Sequence, residues 1–173
     1  MRTLIDTNIL ISAALWPSSK PSLAYFKAIN YPYHGIICEQ SIDELRRVFN
    51  KKFPDRISVL NTFLSLALLA VEVVPVPEEA IDLEQKIRDV NDRSILRAAV
   101  NSNACVLLTG DNDFLESGIQ HPRIMNAAEL LGYECPASLR TSWIGRKTSV
   151  NRMIDACFSF IFPFFLPRLL RCL

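Results

Sequence analysis

The chain has 173 residues, half of them hydrophobic, with a formal charge of +1. That length suits one ordinary α/β domain and is too short for two comfortable ones. The near-neutral total hides an asymmetry: residues 140–173 carry six basic side chains against Asp155, leaving residues 1–139 with 13 basic and 17 acidic ones. A negative body excludes simple electrostatic adhesion to a polyanion, unless bound cations or local basic patches reverse the sign where it matters.

In chain order, the apolar run Thr3 to Ile5 ends in Asp6-Thr7-Asn8, and Ile9 to Leu15 follows as a buried helix, which makes a strand-to-helix turn. The Trp16 to Pro21 stretch breaks the pattern, and a second helix is expected from Ser22 to about Ile29. Gly35 to Cys38 reads as a short buried strand. Ser41 is expected as an N-cap, with Glu44 three residues on at capping-box spacing. Ile57 to Val71 is almost uninterrupted hydrophobicity, too short and too polar for a membrane span, and is read as a core helix. Glu72 to Pro77 is strand-like, Glu78 to Ile87 is expected to be helical, and Asp92 to Asn101 forms another helix. Ala104 to Leu108 is the clearest strand and runs into Thr109-Gly110-Asp111-Asn112-Asp113. A strand at Arg123 to Met125 and a helix from Ala127 to Leu131 complete the pattern.

Strands alternating with helices predict a three-layer α/β/α fold around a central parallel sheet, with the ligand site outside the carboxyl ends of the strands. Asp6 and Asp111 fall at that edge. Each acid also has an ordinary reading: Asp6 and Asp92 as helix N-caps, Glu44 as half of a capping box, Asp111 as a turn-former. Their joint placement at one sheet edge suits binding of hard divalent cations, which prefer clustered carboxylates. His34 and His121, the two histidines, are assigned to hydrogen-bonded or surface loops. The five cysteines lack zinc or disulfide spacing and are read as reduced, mostly buried thiols. With no secretory pattern in the opening residues, a cytoplasmic location is expected.

Four segments, Leu4 to Leu10, Ser41 to Leu45, Arg88 to Ala99 and Leu107 to Phe114, resemble in order and spacing the motifs of PIN-domain proteins, over roughly residues 1–133. The nearest likeness is to toxin components of toxin-antitoxin modules. The resemblance implies a Mg²⁺- or Mn²⁺-dependent endoribonuclease in which Asp6, Glu44, Asp92 and Asp111 hold the metal. Asn8 and Thr109 would orient the carboxylates or their waters, and Asp113 would be a further ligand, a rival to Asp111, or simply a turn residue. It further implies an RNA substrate, an inhibitory antitoxin partner and a homodimer. Where many relatives carry a second acid after the one matching Asp92, this chain has Arg93, read either as a phosphate contact or as a solvated or salt-bridged side chain. Arg46, Arg47, Lys51 and Lys52 would form an RNA-tracking stripe or a plain exposed face.

Two other readings use the same acids: a DNA-directed nuclease, and a non-catalytic module that binds RNA or a protein. The nuclease-like domain is expected over residues 1–135. Residues 136–173, basic and Phe-rich, are expected to lie outside it; the prolines at 163 and 167 argue against a membrane helix there.

Overall fold

The computed structural model describes residues 1–136. The expectation for the Phe-rich extension falls on residues 137–173, which lie outside the described residues. Five strands, β1 (Arg2–Ile5), β2 (His34–Cys38), β3 (Glu72–Val74), β4 (Val106–Leu108) and β5 (Arg123–Met125), form one sheet in the order β3-β2-β1-β4-β5. Every neighbouring pair is parallel. Parallel neighbours need crossovers, and helices supply them: α1 (Thr7–Leu15), α2 (Lys20–Ile29), α3 (Glu39–Lys52), α4 (Ile57–Ala70), α5 (Val90–Asn101), α6 (Asn112–Leu115) and α7 (Ala127–Gly132).

Two apolar clusters fill the space on the two faces of the sheet. One joins Ile5, Ile37 and Leu108 to side chains of α1, α2, α3, α4 and α7. The other joins Leu4, Ile36 and Leu107 to α5 and α6, through Ile95, Leu96 and Phe114. Successive residues of β1 thus serve opposite cores, as the pleat requires, and the strands read as continuous apolar runs because both faces are covered. The three-layer α/β/α expectation is borne out. Close packing of α2 on β2 depends on Gly35, where an added Cβ would stand 2.8 Å from Ile29 Cγ2. A side chain there would force the helix off the sheet.

Four local expectations are corrected. The segment from Glu78 to Ile87 is not an α-helix; only a 3₁₀ turn forms, at Asp82–Lys86. Ser41 is not an N-cap, because β2 runs directly into α3 and the helix begins at Glu39, after Cys38. Ser41 is therefore inside the helix, its buried Oγ without a hydrogen-bond partner among the described residues. The apolar run of α4 is only half buried: Leu60, Phe63, Leu64 and Ala67 face the core, whereas Leu68 and Leu69 are exposed. His34 is no loop residue but opens β2, buried against Glu72. Among the described residues Cys38 and Cys105 are free thiols, and no helix is long and apolar enough to cross a membrane.

Candidate active site

The edge where β1 and β4 end carries the acids. Asp6 follows β1 and Thr109 follows β4; the register Ile5 to Leu108 sets them side by side, and the Asp6 amide extends the ladder to the Leu108 carbonyl at 3.0 Å. Thr109 Oγ1 donates to Asp6 Oδ2 at 2.6 Å, and Asn8 Nδ2 donates to the same oxygen at 2.7 Å. Asp6 Oδ1 accepts the Thr7 amide at 2.6 Å, so Asp6 does cap α1. Capping and a role in the site are compatible, because the cap uses one oxygen only.

Glu44 reaches this edge from α3. The capping-box alternative fails with the loss of Ser41 as a cap; instead Glu44 Oε2 accepts from Thr7 Oγ1 at 2.9 Å. Asp92 is also not a cap: Asp89 caps α5 by accepting the Asn91 amide, which leaves Asp92 in the first helical turn. Asp111 does cap α6, accepting the Asp113 amide at 2.8 Å, and its own amide is held by Thr109 Oγ1 at 3.0 Å. Asp113 is in an ion pair with Arg88 at 2.6 Å and accepts the Asp89 amide at 3.1 Å.

These contacts form a ring of hydrogen bonds around the acids. Thr7 joins α1 to α3, Gln40 Nε2 joins α3 to α5 through the Asn91 carbonyl at 3.2 Å, and Asp113 joins the start of α5 to α6. Asn8 and Thr109 close the ring between α1 and β4, with Gly110 N donating to Asn8 Oδ1 at 3.1 Å. Asn8 and Thr109 were legible in the sequence. Thr7 and Gln40 were missed; the hydroxyl directly after Asp6 was the available signal for Thr7, but its partner lies 37 residues away.

Electrostatics bind the four acids together. Burial pushes Asp6 up to about 6 against the opposing hydrogen bonds from Thr109 and Thr7, with Glu44 and Asp111 adding repulsion. Asp92 is pushed up to about 7, first by burial and then by the charges of Asp6, Asp89, Asp111 and Glu44. Shifts of this kind gather where a site is built to receive positive charge. The donor set is all oxygen and fits Mg²⁺ or Mn²⁺. Among the described residues no three His, Cys, Asp or Glu side chains converge into a ready-made cage.

The basic candidates are distributed differently. Arg46 and Arg47 are exposed on α3, 3.7 Å from Asp43 and 3.9 Å from Glu44 respectively, and Lys51 and Lys52 are exposed at its end. Arg93 turns its Nε to the Ile87 carbonyl at 3.0 Å, which fastens α5 to the preceding turn.

A parallel five-stranded sheet covered by helices on both faces, with acids gathered at its carboxyl edge, is the α/β architecture of a PIN-like fold. The chain belongs to the PIN-domain family: the family model matches residues 2–113, which include all four acids. PIN domains are generally nucleases. In fold the chain is similar to one in the crystal structure of VapBC2 from Rickettsia felis bound to a DNA fragment from their promoter, with a TM-score of 0.56 and 18% identity. The match covers 73% of this chain and 98% of that one. No curated protein sequence matches it.

Proposed function

We propose that this protein is a Mg²⁺- or Mn²⁺-dependent endoribonuclease acting on single-stranded or structured RNA, and the toxin of a toxin-antitoxin module. The observation that carries the reading is the mutual repulsion of Asp6, Glu44, Asp92 and Asp111, four carboxylates from four elements held at one edge without a cationic partner for Asp6 or Asp92 among the described residues. Leaving these acids, Asp6 buried and Asp92 half-buried, in that state costs stability, and a divalent cation beside them reverses the cost by favouring the charged form. Asp6, Glu44, Asp92 and Asp111 would hold the metal, which when bound activates water and neutralises charge on the phosphoryl oxygens.

The remaining work falls to the chain. Thr109 and Asn8 fix one oxygen of Asp6, Thr7 fixes one oxygen of Glu44, and Asp113 is engaged with Arg88 and the Asp89 amide. The first three act through the carboxylates they orient. The likeness in fold to a VapBC2 chain supports an antitoxin partner, and a cytoplasmic place of action goes with that reading.

The test is a side-by-side digest of single-stranded RNA and DNA with Mg²⁺, Mn²⁺ or chelator. Cleavage of RNA that requires the cation and disappears in Asp92→Asn is expected. Cleavage of DNA alone would replace the substrate assignment. Cleavage of neither, with no cation binding by calorimetry, would make the chain a non-catalytic binding module. Co-purification with the product of a neighbouring small reading frame tests the antitoxin.

A further inference from the structure

Trp16 ends α1 with 53% of its surface exposed. Its ring meets Phe53, the residue that ends α3, edge-on at 6.4 Å between centroids and 87° between planes. A perpendicular contact occupies at most one face of the indole, and more than half of the residue's surface stays open. Four exposed cations lie within four residues of one ring or the other along the chain: Lys20, Lys51, Lys52 and Arg56. None of them forms an ion pair among the described residues, and Asp55 is the acid in the same stretch. This is a positive, aromatic corner on a body with four more acids than bases over residues 1–139.

The corner is connected to the acid cluster by α3. Glu44, Arg47 and Lys51 are spaced three and four residues apart and so share one helix face; the 3.9 Å approach of Arg47 to Glu44 shows that face in use. From Glu44 to Phe53 the helix rises about 13 Å, the span of a few nucleotides. The geometry points to a subsite for an unpaired nucleobase on Trp16, reached by an RNA strand whose phosphates track Arg47, Lys51 and Lys52 from the acid cluster. An aromatic face beside a cationic track is the common physical solution for single strands, since every base can stack and every nucleotide carries a phosphate. A second protein is the weaker reading of the same corner. Its apolar part is essentially one exposed indole, the flank is cationic, and the exposed Leu68 and Leu69 lie at the opposite end of α4. The lysines also suit the helix C-terminus, a structural role that does not involve Trp16.

This inference rests on the RNA reading above, and the experiment separates the two. Binding of a labelled single-stranded 12-mer RNA is measured by anisotropy on the full chain carrying Asp92→Asn, so that cleavage plays no part. Adding Trp16→Ala is expected to weaken the 12-mer about tenfold. Trp16→Phe should stay within about threefold, whereas Trp16→Leu, which keeps apolar bulk without a stacking face, should bind like Trp16→Ala. A dinucleotide, too short to reach from the acids, should not distinguish these variants. Lys51→Gln with Lys52→Gln should flatten the dependence of binding on salt. Loss of the 12-mer in Trp16→Leu but not in Trp16→Ala, or equal 12-mer affinity in all Trp16 variants, overturns the subsite while leaving the nuclease reading intact. A change of mass by light scattering in Trp16→Ala with unchanged RNA affinity would assign the corner to a second copy of the chain. If wild type cleaves no RNA and Asp92→Asn binds none, the functional reading itself fails.

Discussion

The two ends of the sheet carry acids in opposite circumstances. At the amino-terminal edge, where β1, β2 and β3 begin, Glu72 is gripped by both terminal nitrogens of Arg2 at 2.8 and 2.9 Å and by His34 Nε2 at 2.7 Å. Those partners, Arg2 first, pull its carboxyl down to about 2. At the carboxyl edge, burial and neighbouring acids push Asp6 up to about 6 and Asp92 up to about 7. One edge has its charges matched within the chain and serves the fold. The other gathers acids of which Asp6 and Asp92 have no cationic partner among the described residues, as the proposed cation-binding role requires. The same strands support both, so the difference is one of side-chain chemistry and not of architecture.

The sharpest way to break this contrast is to remove charge from the unmatched edge. Asp92→Asn should lower the turnover of RNA roughly a thousandfold, the scale expected when metal stabilisation of the transition state is lost, while circular dichroism remains unchanged. Retained turnover would show that the edge is not the reacting site. Next in size is the ring of hydrogen bonds around the acids. Thr7→Val removes the hydroxyl that holds Glu44 and should weaken Mn²⁺ binding about tenfold by calorimetry, with Thr7→Ser restoring it. Equal affinity in the three proteins would reduce Thr7 to a packing residue.

Changes at the matched edge should be smaller and should not touch catalysis. Glu72 is partly exposed, so Glu72→Gln is expected to cost only about 1 kcal/mol, a few degrees in the thermal midpoint, with cation affinity unaltered. The most diagnostic effect is the response to pH, because the two edges respond with opposite sign. For Asp6 and Asp92 the native state keeps protons that the unfolded chain has lost above pH 3.8, so stability falls as pH rises from there to about 7. Glu72 contributes stability above pH 4.5 that is lost as pH falls toward 2. Without divalent cation, Asp92→Asn should therefore melt higher than wild type at pH 8 and equal to it below pH 4. The deficit of Glu72→Gln should instead shrink as pH falls through 4.5. Matching pH profiles for the two variants would erase the distinction between the edges.

Much of this was legible in the sequence where pattern is local. Apolar runs ending in Asp6 and Thr109 gave two strand ends, and their parallel pairing followed from the helices between them. Asn8 was picked out because it lies two residues from the acid it serves, and Thr109 because it lies two residues before Asp111, although its hydroxyl donates to the remote Asp6. Glu44 was ambiguous: Ser41 and Glu44 have capping-box spacing, and only the start of α3 two residues earlier, straight from β2, removes that alternative. For Asp92 capping stayed open as an alternative, because the true cap, Asp89, is three residues upstream and equally acidic. Asp113 rivalled Asp111 until its pairing with Arg88, 25 positions away, took it out of the cluster. Thr7 and Gln40 were invisible because their partners are remote in sequence and near only after folding. The helix expected over residues 78–87 shows the reverse error: the composition is helix-compatible, but only a 3₁₀ turn forms, with Ile81, Leu83 and Ile87 packed into the second apolar cluster and Glu84 paired with Arg97, 13 positions away.

The central claim is that the carboxyl edge is a cation-dependent ribonucleolytic centre. It is tested most directly by incubating the purified chain with a single-stranded RNA at pH 7.5, with and without Mn²⁺, beside Asp92→Asn. The account predicts internal cleavage by wild type only when Mn²⁺ is present, and none by the variant. Cleavage that persists in chelator, or that is equal in the variant, would contradict it.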